Sequence, residues 1–206
     1  MAPNVRREAL VLRITTFRPR EPWAEIDRAL RSRGIPSFLT QPGLLDAWFG
    51  RRGPDFDDEH VIASVWETSS GERAGPLLPE TLVDSDLDLD GPSRLALPVV
   101  LDYRFPRPAP PTILRIYDGQ THAGQLDAYV KEAAQGVLVD GEGPDGPSAV
   151  CMSVDVPDRF VTVSLWTGWA SIEASTGGDV GRPLATRNQA RLADGGPTHY
   201  EVVLPL

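Results

Sequence analysis

The sequence predicts an α+β protein built from two tandem ferredoxin-like halves, each with the element order β-α-β-β-α-β. Two observations support this fold class. Similar segments recur in the same order in the two halves of the chain, and strand-like and helix-like patterns alternate within each half. A length of 206 residues is enough for two halves of roughly 100 residues each.

The internal similarity is strongest in two strand-like segments. LVLRITTF (10–17) resembles TILRIYDG (112–119), and HVIASVW (60–66) resembles RFVTVSLW (159–166). Two weaker matches pair QPGLLDAWF with GPSAVCMSV and LALPVVL with HYEVVLP. Four similar elements in the same order favour an internal duplication over a chance match.

The first half, residues 8–104, begins with an alternating segment rich in Val, Ile, Thr and Phe, which is typical of a strand. A helix is then expected to begin at Pro22, which suits the first helical position, and to end at Gly34. The remaining predicted elements are two strands, a weakly helical stretch and a last strand, at 44–50, 60–68, 71–92 and 95–103.

A proline-rich segment, FPRPAPPT, predicts a stiff linker over 105–111. The second half, 112–206, repeats the order of the first. Its first helix is predicted over 122–135, with Leu126, Tyr129, Val130 and Ala133 as the apolar face. The other predicted elements are four strands and a second helix, at 112–118, 148–156, 159–167, 198–204 and 183–193.

Composition excludes several classes of function. Twenty Lys and Arg against 29 Asp and Glu give a net charge of −9, which disfavours nucleic acid as a partner. Cys151 is the single cysteine, so an intrachain disulfide and a cysteine zinc site are excluded. No apolar run is long enough for a signal peptide or a membrane span, which predicts a cytoplasmic protein without a membrane partner.

Metal and nucleotide motifs are missing from the sequence. His60, His122 and His199 form no HxH or HExxH spacing, and no GxGxxG, P-loop or GxSxG motif occurs. DLDLDG (86–91) begins like a calcium loop, but its twelfth position is Leu97, where a bidentate Glu is required. We therefore expect neither a metal nor a cofactor.

Several segments resemble the dimeric α/β-barrel superfamily, and within it the antibiotic biosynthesis monooxygenase-like domains. They are the opening LRITTFRPREPWAEIDRAL, the Pro42–Gly43 pair before a strand, and the Trp-ended third strands in VWETSSGERA and LWTGWASIEA. The resemblance implies that the two halves form an α/β barrel within one chain, where the family usually uses two subunits. A monomer with pseudo-dimeric halves is therefore expected.

The same resemblance implies cofactor-independent oxygenation of a small aromatic or polyketide-like substrate, whose enolate or phenolate reduces oxygen. It does not extend to the Asn–Trp–His set of haem-degrading relatives. The asparagines of this chain, Asn4 and Asn188, lie outside the first strands and the openings of the first helices.

Strand alternation sorts side chains between the two faces of each sheet. Apolar residues such as Leu12 and Leu114 are expected under the helices. The opposite faces would then collect an unusual polar and aromatic set: Arg13, Asp46, Trp48, Trp66, Arg115, Tyr117, Trp166, His199 and Glu201. One interpretation is a structural layer of ion pairs, in which Asp46 and Glu201 neutralise the arginines. The other is a ligand pocket with an arginine clamp.

In the pocket interpretation, the resemblance assigns a role to each of these residues. Arg13 or Arg115 would hold the substrate anion, and His199 or Glu201 would be the catalytic base. Aromatic side chains would form the walls, namely Trp48, Trp66, Trp166 and Tyr117. The alternative function is a non-enzymatic small-molecule-binding or stress-related protein, and a cavity with convergent polar groups would favour the enzyme.

Overall fold

The computed structural model describes residues 10–52, 58–67, 89–155, 157–183 and 186–204. Contacts divide the chain into two compact units, which meet in the sequence between Ala96 and Leu97. This division falls before the predicted proline-rich linker, so residues 97–104 belong with the second unit.

The first unit contains three paired antiparallel strands in the order β1-β3-β2. Its elements are β1 (Leu10–Pro19), α1 (Trp23–Ala29), a π-helical turn (Leu30–Gly34), α2 (Ile35–Leu39), β2 (Leu44–Arg51) and β3 (His60–Glu67). A long strand, β4 (Leu89–Arg104), crosses the division between the units. The order of these strands is that of a ferredoxin-like half, as predicted.

The first helical region does not end at Gly34. Gly34 has φ of −62° and stays helical, and the chain continues into α2 as far as Leu39. Pro36 has no N–H to donate to the preceding turn, and a π-helical turn directly before it accommodates that missing hydrogen bond. The left-handed glycine of this region is Gly43, with φ of 82°, in the turn before β2.

The second unit is a five-stranded antiparallel sheet in the order β8-β5-β7-β6-β4. Its elements are β5 (Ile113–Thr121), α3 (Leu126–Glu142), β6 (Ala149–Asp155), β7 (Arg159–Trp166), α4 (Trp169–Thr176), a 3₁₀ helix (Thr186–Arg191) and β8 (Leu192–Leu204). The order β8-β5-β7-β6 is the ferredoxin-like arrangement, which confirms the predicted fold class.

The second helix of this unit was predicted at the wrong place. An α-helix spans Trp169–Thr176 and ends at Gly177, which is left-handed with φ of 68°. The predicted segment 183–193 holds a short 3₁₀ helix and the start of β8. Pairing with β5 extends β8 back to Leu192, and this long-range contact has no local sequence signal.

Part of the predicted 71–92 stretch and of the calcium-like loop lies outside the described residues. This applies to Asp86 and Asp88. Asp90, Gly91 and Leu97 belong to strand β4. Within the described ranges, no group of three or more His, Cys, Asp or Glu side chains could hold a metal ion. No described helix is long and apolar enough to cross a membrane.

The faces of the sheets are reversed relative to the prediction. In the second unit, Tyr117 packs with Tyr129 of α3, so the face that carries Arg115 and Tyr117 lies under the helix. In the first unit, Phe38 of α2 packs edge-on against Trp66, so the face of Trp66 also lies under the helix. Hydrophobicity could not identify the face because both faces are buried: Leu114 is 0% exposed and Arg115 is 1% exposed.

The segment after β4 is tied to the end of α3 by Arg107. Its guanidinium donates hydrogen bonds to the carbonyl oxygens of Gly141, Gly143 and Pro147 at 2.6, 2.6 and 3.1 Å. These carbonyls lie at or beyond the last turn of the helix, where no intrahelical donor is available. Arg107 therefore fixes the C-terminal end of the helix that covers the sheet.

Candidate functional site

A cavity lies between helix α3 and the sheet of the second unit. Its volume open to water-sized molecules is about 20 Å³, which is room for one or two waters. Arg115 lines it, together with residues from α3 and three strands: Tyr117, Tyr129, Ala133, Met152, Phe160 and Thr162. Most of this wall is apolar, so the guanidinium is its dominant charged group.

Arg115 is held by neutral groups. Its Nε donates a hydrogen bond to Nε2 of His199 at 3.2 Å. One terminal nitrogen, Nη2, donates to the carbonyl oxygen of Val180 at 3.2 Å and also to that of Arg182. The side chain lies over the ring of Tyr117, with Cζ 5.5 Å from the ring centroid. Among the described residues, no group accepts a hydrogen bond from the other terminal nitrogen, Nη1.

The charge of Arg115 has no acidic partner within the described part of the chain. Burial lowers its pKa from 12.5 to about 10, and the hydroxyl-bearing rings of Tyr117 and Tyr129 act in the opposite direction. The guanidinium therefore remains charged at neutral pH. A buried cation without a carboxylate is costly to hold, which makes its environment favourable for an incoming anion.

Aromatic rings form one side of the cavity. Phe160 stacks on Tyr117 at 5.9 Å between centroids and packs against Tyr129 at 4.4 Å. Gly119 makes this packing fit, because a Cβ there would lie 2.5 Å from the Phe160 ring. Burial raises the pKa of both tyrosines, so their hydroxyls keep their protons at neutral pH.

His199 supports Arg115 and does not line the cavity. The ladder pairs it with Arg115 across β5 and β8, which places both side chains on one face. Its Nε2 accepts the Arg115 N–H, so that nitrogen carries no proton of its own. Its ring also contacts the ring of Trp169 at 4.8 Å, and Trp169 is 51% exposed.

Trp166 and Glu201, also predicted as site residues, are not among the residues that line the cavity. Trp166 is fully buried in a cluster with Ile113 and Val137, where its Nε1 donates to Ser164 Oγ at 2.9 Å. Glu201 lies opposite Ile113 and is exposed, and it makes no contact with Arg115. The predicted ion pair between this carboxylate and an arginine is therefore wrong for Arg115.

The first unit holds an arginine and a tryptophan at the equivalent strand positions. Arg13 lies 5.1 Å from the centroid of the Trp66 ring, and Trp66 Nε1 donates to Ser64 Oγ at 2.8 Å. Arg13 pairs with Ser64 as Arg115 pairs with Ser164, so the two registers match. Phe38 of helix α2 packs against the Trp66 ring on this face.

Asp46 and Trp48 do not share the face of Arg13 and Trp66. The ladder places Asp46 opposite Val65 and Trp48 opposite Ala63, whereas Arg13 lies opposite Ser64. Neighbouring residues along a strand point to opposite faces, so the predicted grouping is wrong. A β-bulge between Leu44 and Asp46 shifts the register of β2, and nothing in the local sequence indicates it.

Sequence reasoning missed Tyr129, Ala133 and Thr162. The first two were assigned to the apolar face of the helix, which is correct, but they were counted as core. A comparison of the two helical regions could have indicated this space, because Leu30 in the first unit corresponds to Ala133 in the second. A large residue replaced by a small one marks a place where space can open.

The cavity does not fit haem, although haem-degrading proteins occur in the superfamily that the sequence resembles. The cavity has room for one or two waters, far less than a porphyrin needs. Nε2 of His199, the histidine next to Arg115, already accepts a hydrogen bond from that arginine. The described residues therefore do not fit haem, and no step through haem is derived.

No protein-family model matches the chain, and a search of curated proteins gives no significant match either. Solved structures do match it over nearly its whole length. A candidate monooxygenase from Fusobacterium nucleatum superposes with a TM-score of 0.72 at 10% identity, covering 96% of this chain and 93% of the other. A second candidate monooxygenase, from Lactobacillus acidophilus, gives 0.70 at 10% identity, covering 95% and 94%.

An anthrone oxidase-like protein gives a TM-score of 0.60 at 13% identity, with 96% of this chain and 92% of the other covered. These identities are too low to transfer a function, so the likeness concerns the backbone. The chain shares the fold of these proteins. The resemblance noted in the sequence is thereby confirmed at the level of the fold.

Proposed function

We propose that the protein is a monooxygenase-like enzyme that holds a small organic substrate as an anion against Arg115. The observation that carries this proposal is the buried guanidinium whose Nη1 has no acceptor among the described residues. It lines a cavity in which no described group neutralises it. A buried charge without an acidic partner is costly to hold, and an anionic ligand would provide the missing acceptor.

The chemistry suits oxygenation by the substrate itself. An enolate or phenolate is electron-rich and can reduce O₂ directly. For a methylene group beside such an anion, two C–H bonds break, one oxygen atom forms a C=O bond, and the other leaves as water. O₂ is then the only oxidant. Arg115 would stabilise the anion in a mostly apolar cavity, where an electrostatic contact is stronger than in water.

The comparisons support this reaction class without establishing it. Three proteins of the same fold are described as monooxygenase or anthrone oxidase-like proteins, and the likeness covers both units of the chain. Anthrone oxidation is a conversion of methylene to carbonyl of the kind written above. The alternative is a small-molecule-binding protein without catalysis, in which Arg115 would bind an anion that does not react.

Oxygen consumption separates these functions. We would measure O₂ uptake by the purified protein with a panel of small, single-ring enolisable ketones and phenols. The wild type and Arg115→Met would be compared, with Arg13→Met as the matched control from the first unit. The proposal expects uptake that is lost in Arg115→Met and kept in Arg13→Met. Arg115-dependent binding without uptake would favour the binding protein. The absence of both uptake and Arg115-dependent binding would overturn the anion site.

We also infer that the two units arose by internal duplication and that the chain is a monomer. The matching Arg–Ser register and the paired Ser–Trp hydrogen bonds support the duplication. A chain that carries two ferredoxin-like units has no need of a second subunit to supply one. Light scattering should give a mass near 22.4 kDa, and a stable dimer would contradict the inference.

A further inference from the structure

We propose that the cavity accepts its substrate as a preformed anion: a small, planar, vinylogous acid such as a cyclic 1,3-diketone, which is already an enolate at neutral pH. This inference rests on the proposed function, because it names the substrate class for the same site. It is carried by the juxtaposition of a hydrogen-bond-donating guanidinium with described cavity walls that contain no proton acceptor suited to act as a base.

The absence of a base follows from the composition of the described walls. They contain no carboxylate, histidine or lysine side chain. Tyr117 and Tyr129 are protonated phenols, because burial disfavours their ionised forms. Arg115 is a donor only. None of these groups takes a proton from a weakly acidic substrate at neutral pH.

The two bases suggested by the sequence are also in the wrong place. Glu201 is exposed on β8 and does not contact Arg115. His199 lies behind the guanidinium and uses its Nε2 to accept the Arg115 Nε–H. We assign His199 to the positioning of Arg115, together with the carbonyl oxygens of Val180 and Arg182. The substrate must therefore lose its proton before it enters.

The free donors indicate the shape of the ligand. Nη1 of Arg115 offers two N–H groups in the plane of the guanidinium, which suits an oxygen with in-plane lone pairs. An enolate of a 1,3-diketone carries such oxygens on a flat ring. The cavity has room for one or two waters, so a ring enters only when a wall moves, and Met152 is the most adjustable wall because its side chain is unbranched. A five-membered ring is therefore a better probe than a fused ring system.

Calorimetry at pH 7 with a matched pair of ligands tests the inference. The first ligand is 1,3-cyclopentanedione, which is ionised at this pH. The second is its O-methyl enol ether, 3-methoxycyclopent-2-enone, which keeps the flat ring but is neutral. Nitrate, a planar anion that does not titrate, is the reference. Each is titrated into the wild type, Arg115→Met and Arg13→Met.

We expect the diketone to bind at least about tenfold more tightly than its methyl ether, a difference near 1.4 kcal/mol. Arg115→Met should abolish this preference, and Arg13→Met should keep it. If nitrate and the diketone both fail to bind the wild type, the anion site itself is wrong. If nitrate binds through Arg115 but the ether binds as tightly as the diketone, only the present inference is wrong.

A third ligand tests for a hidden base. The diketone 2-acetylcyclopentanone is a weak acid and is neutral in water at pH 7, and its enolate absorbs in the ultraviolet at longer wavelength. We expect no enolate absorption when it is mixed with the wild type. A strong enolate band that disappears in Arg115→Met would show that the site removes the proton itself, which would overturn the inference.

Discussion

In both units a helical region packs on an antiparallel sheet, but the side chains between helix and sheet differ in size. The helical stretches Trp23–Leu39 and Leu126–Glu142 are equal in length, so their positions can be compared one by one. Leu30 in the first corresponds to Ala133 in the second. The first unit uses the larger side chain, and the second leaves a cavity beside its arginine. The smaller side chain at this position leaves space beside the sheet of the second unit.

The aromatic ring that covers the buried tryptophan also differs in origin. In the first unit, Phe38 on the helix packs edge-on against Trp66 at 5.7 Å. In the second unit, the helix has Gly141 at this position, and Phe105 from the segment after β4 packs against the cluster of Trp166. A Cβ on Gly141 would lie 2.1 Å from the Phe105 ring, so the glycine is required for this arrangement.

The largest expected effect concerns these aromatic rings. Phe38→Ala should lower the free energy of unfolding by about 3–5 kcal/mol, because Phe38 is 1% exposed and its loss leaves a cavity. Phe105→Ala should cost less than half as much, since Phe105 is only partly buried. Urea denaturation of both variants measures the difference. Equal losses would mean that the two rings cover their tryptophans equally well.

A pH effect on stability is expected from a buried histidine of the first unit. His60 is 2% exposed and stacks on Phe17, and burial lowers its pKa from 6.5 to about 4. The unfolded chain therefore binds a proton that the folded chain excludes between these pH values. Stability from this group is complete above pH 6.5 and decreases as pH falls toward 4, by up to about 3 kcal/mol.

The residue of the second unit that corresponds to His60 suggests a substitution that tests this pH effect. Phe160 occupies the position of His60, and its ring stacks on Tyr117. His60→Phe should therefore remove this part of the pH dependence while keeping the aromatic packing. Thermal melting of the wild type and His60→Phe between pH 7.5 and pH 4 is the measurement. Parallel curves for the two proteins would contradict the assignment.

The two arginines should respond differently to the same substitution. Arg115→Met should raise the free energy of unfolding by about 1–2 kcal/mol, because it removes a buried charge that has no described acid partner. Arg13 is only half-buried and lies on the Trp66 ring, so Arg13→Met should change stability by less than about 1 kcal/mol. Chemical denaturation compares them, and a marked loss of stability in Arg115→Met would indicate a structural role.

A small effect on stability is expected from filling the cavity. Ala133→Val adds two carbons toward the side chain that Leu30 provides in the first unit, at a cost of about 1 kcal/mol. It should nevertheless weaken nitrate binding measurably, whereas Ala134→Val, beside it but only half-buried, should leave binding unchanged. Unchanged binding in Ala133→Val would place the anion elsewhere.

The sequence by itself determined the ferredoxin-like strand order and most strand positions, and it singled out Arg115 and Tyr117, which line the cavity. Period-two alternation and the recurring LRI and Trp-ended segments carry that information locally. The α4 helix was missed because Trp169–Thr176 follows directly on a strand, and the segment predicted in its place contains the start of β8. Boundaries that depend on pairing with a distant strand have no local signal.

The tertiary structure alone decided which face of each sheet lies under a helix. Leu114 and Arg115 are both buried, so alternation distinguishes two faces without saying which one the helix covers. That choice placed Arg115 in a cavity between the helix and the sheet, with His199 as a hydrogen-bond partner. The partners of a buried charge come from distant segments of the chain, here Val180 and Arg182, and only folding brings those carbonyl oxygens to the guanidinium.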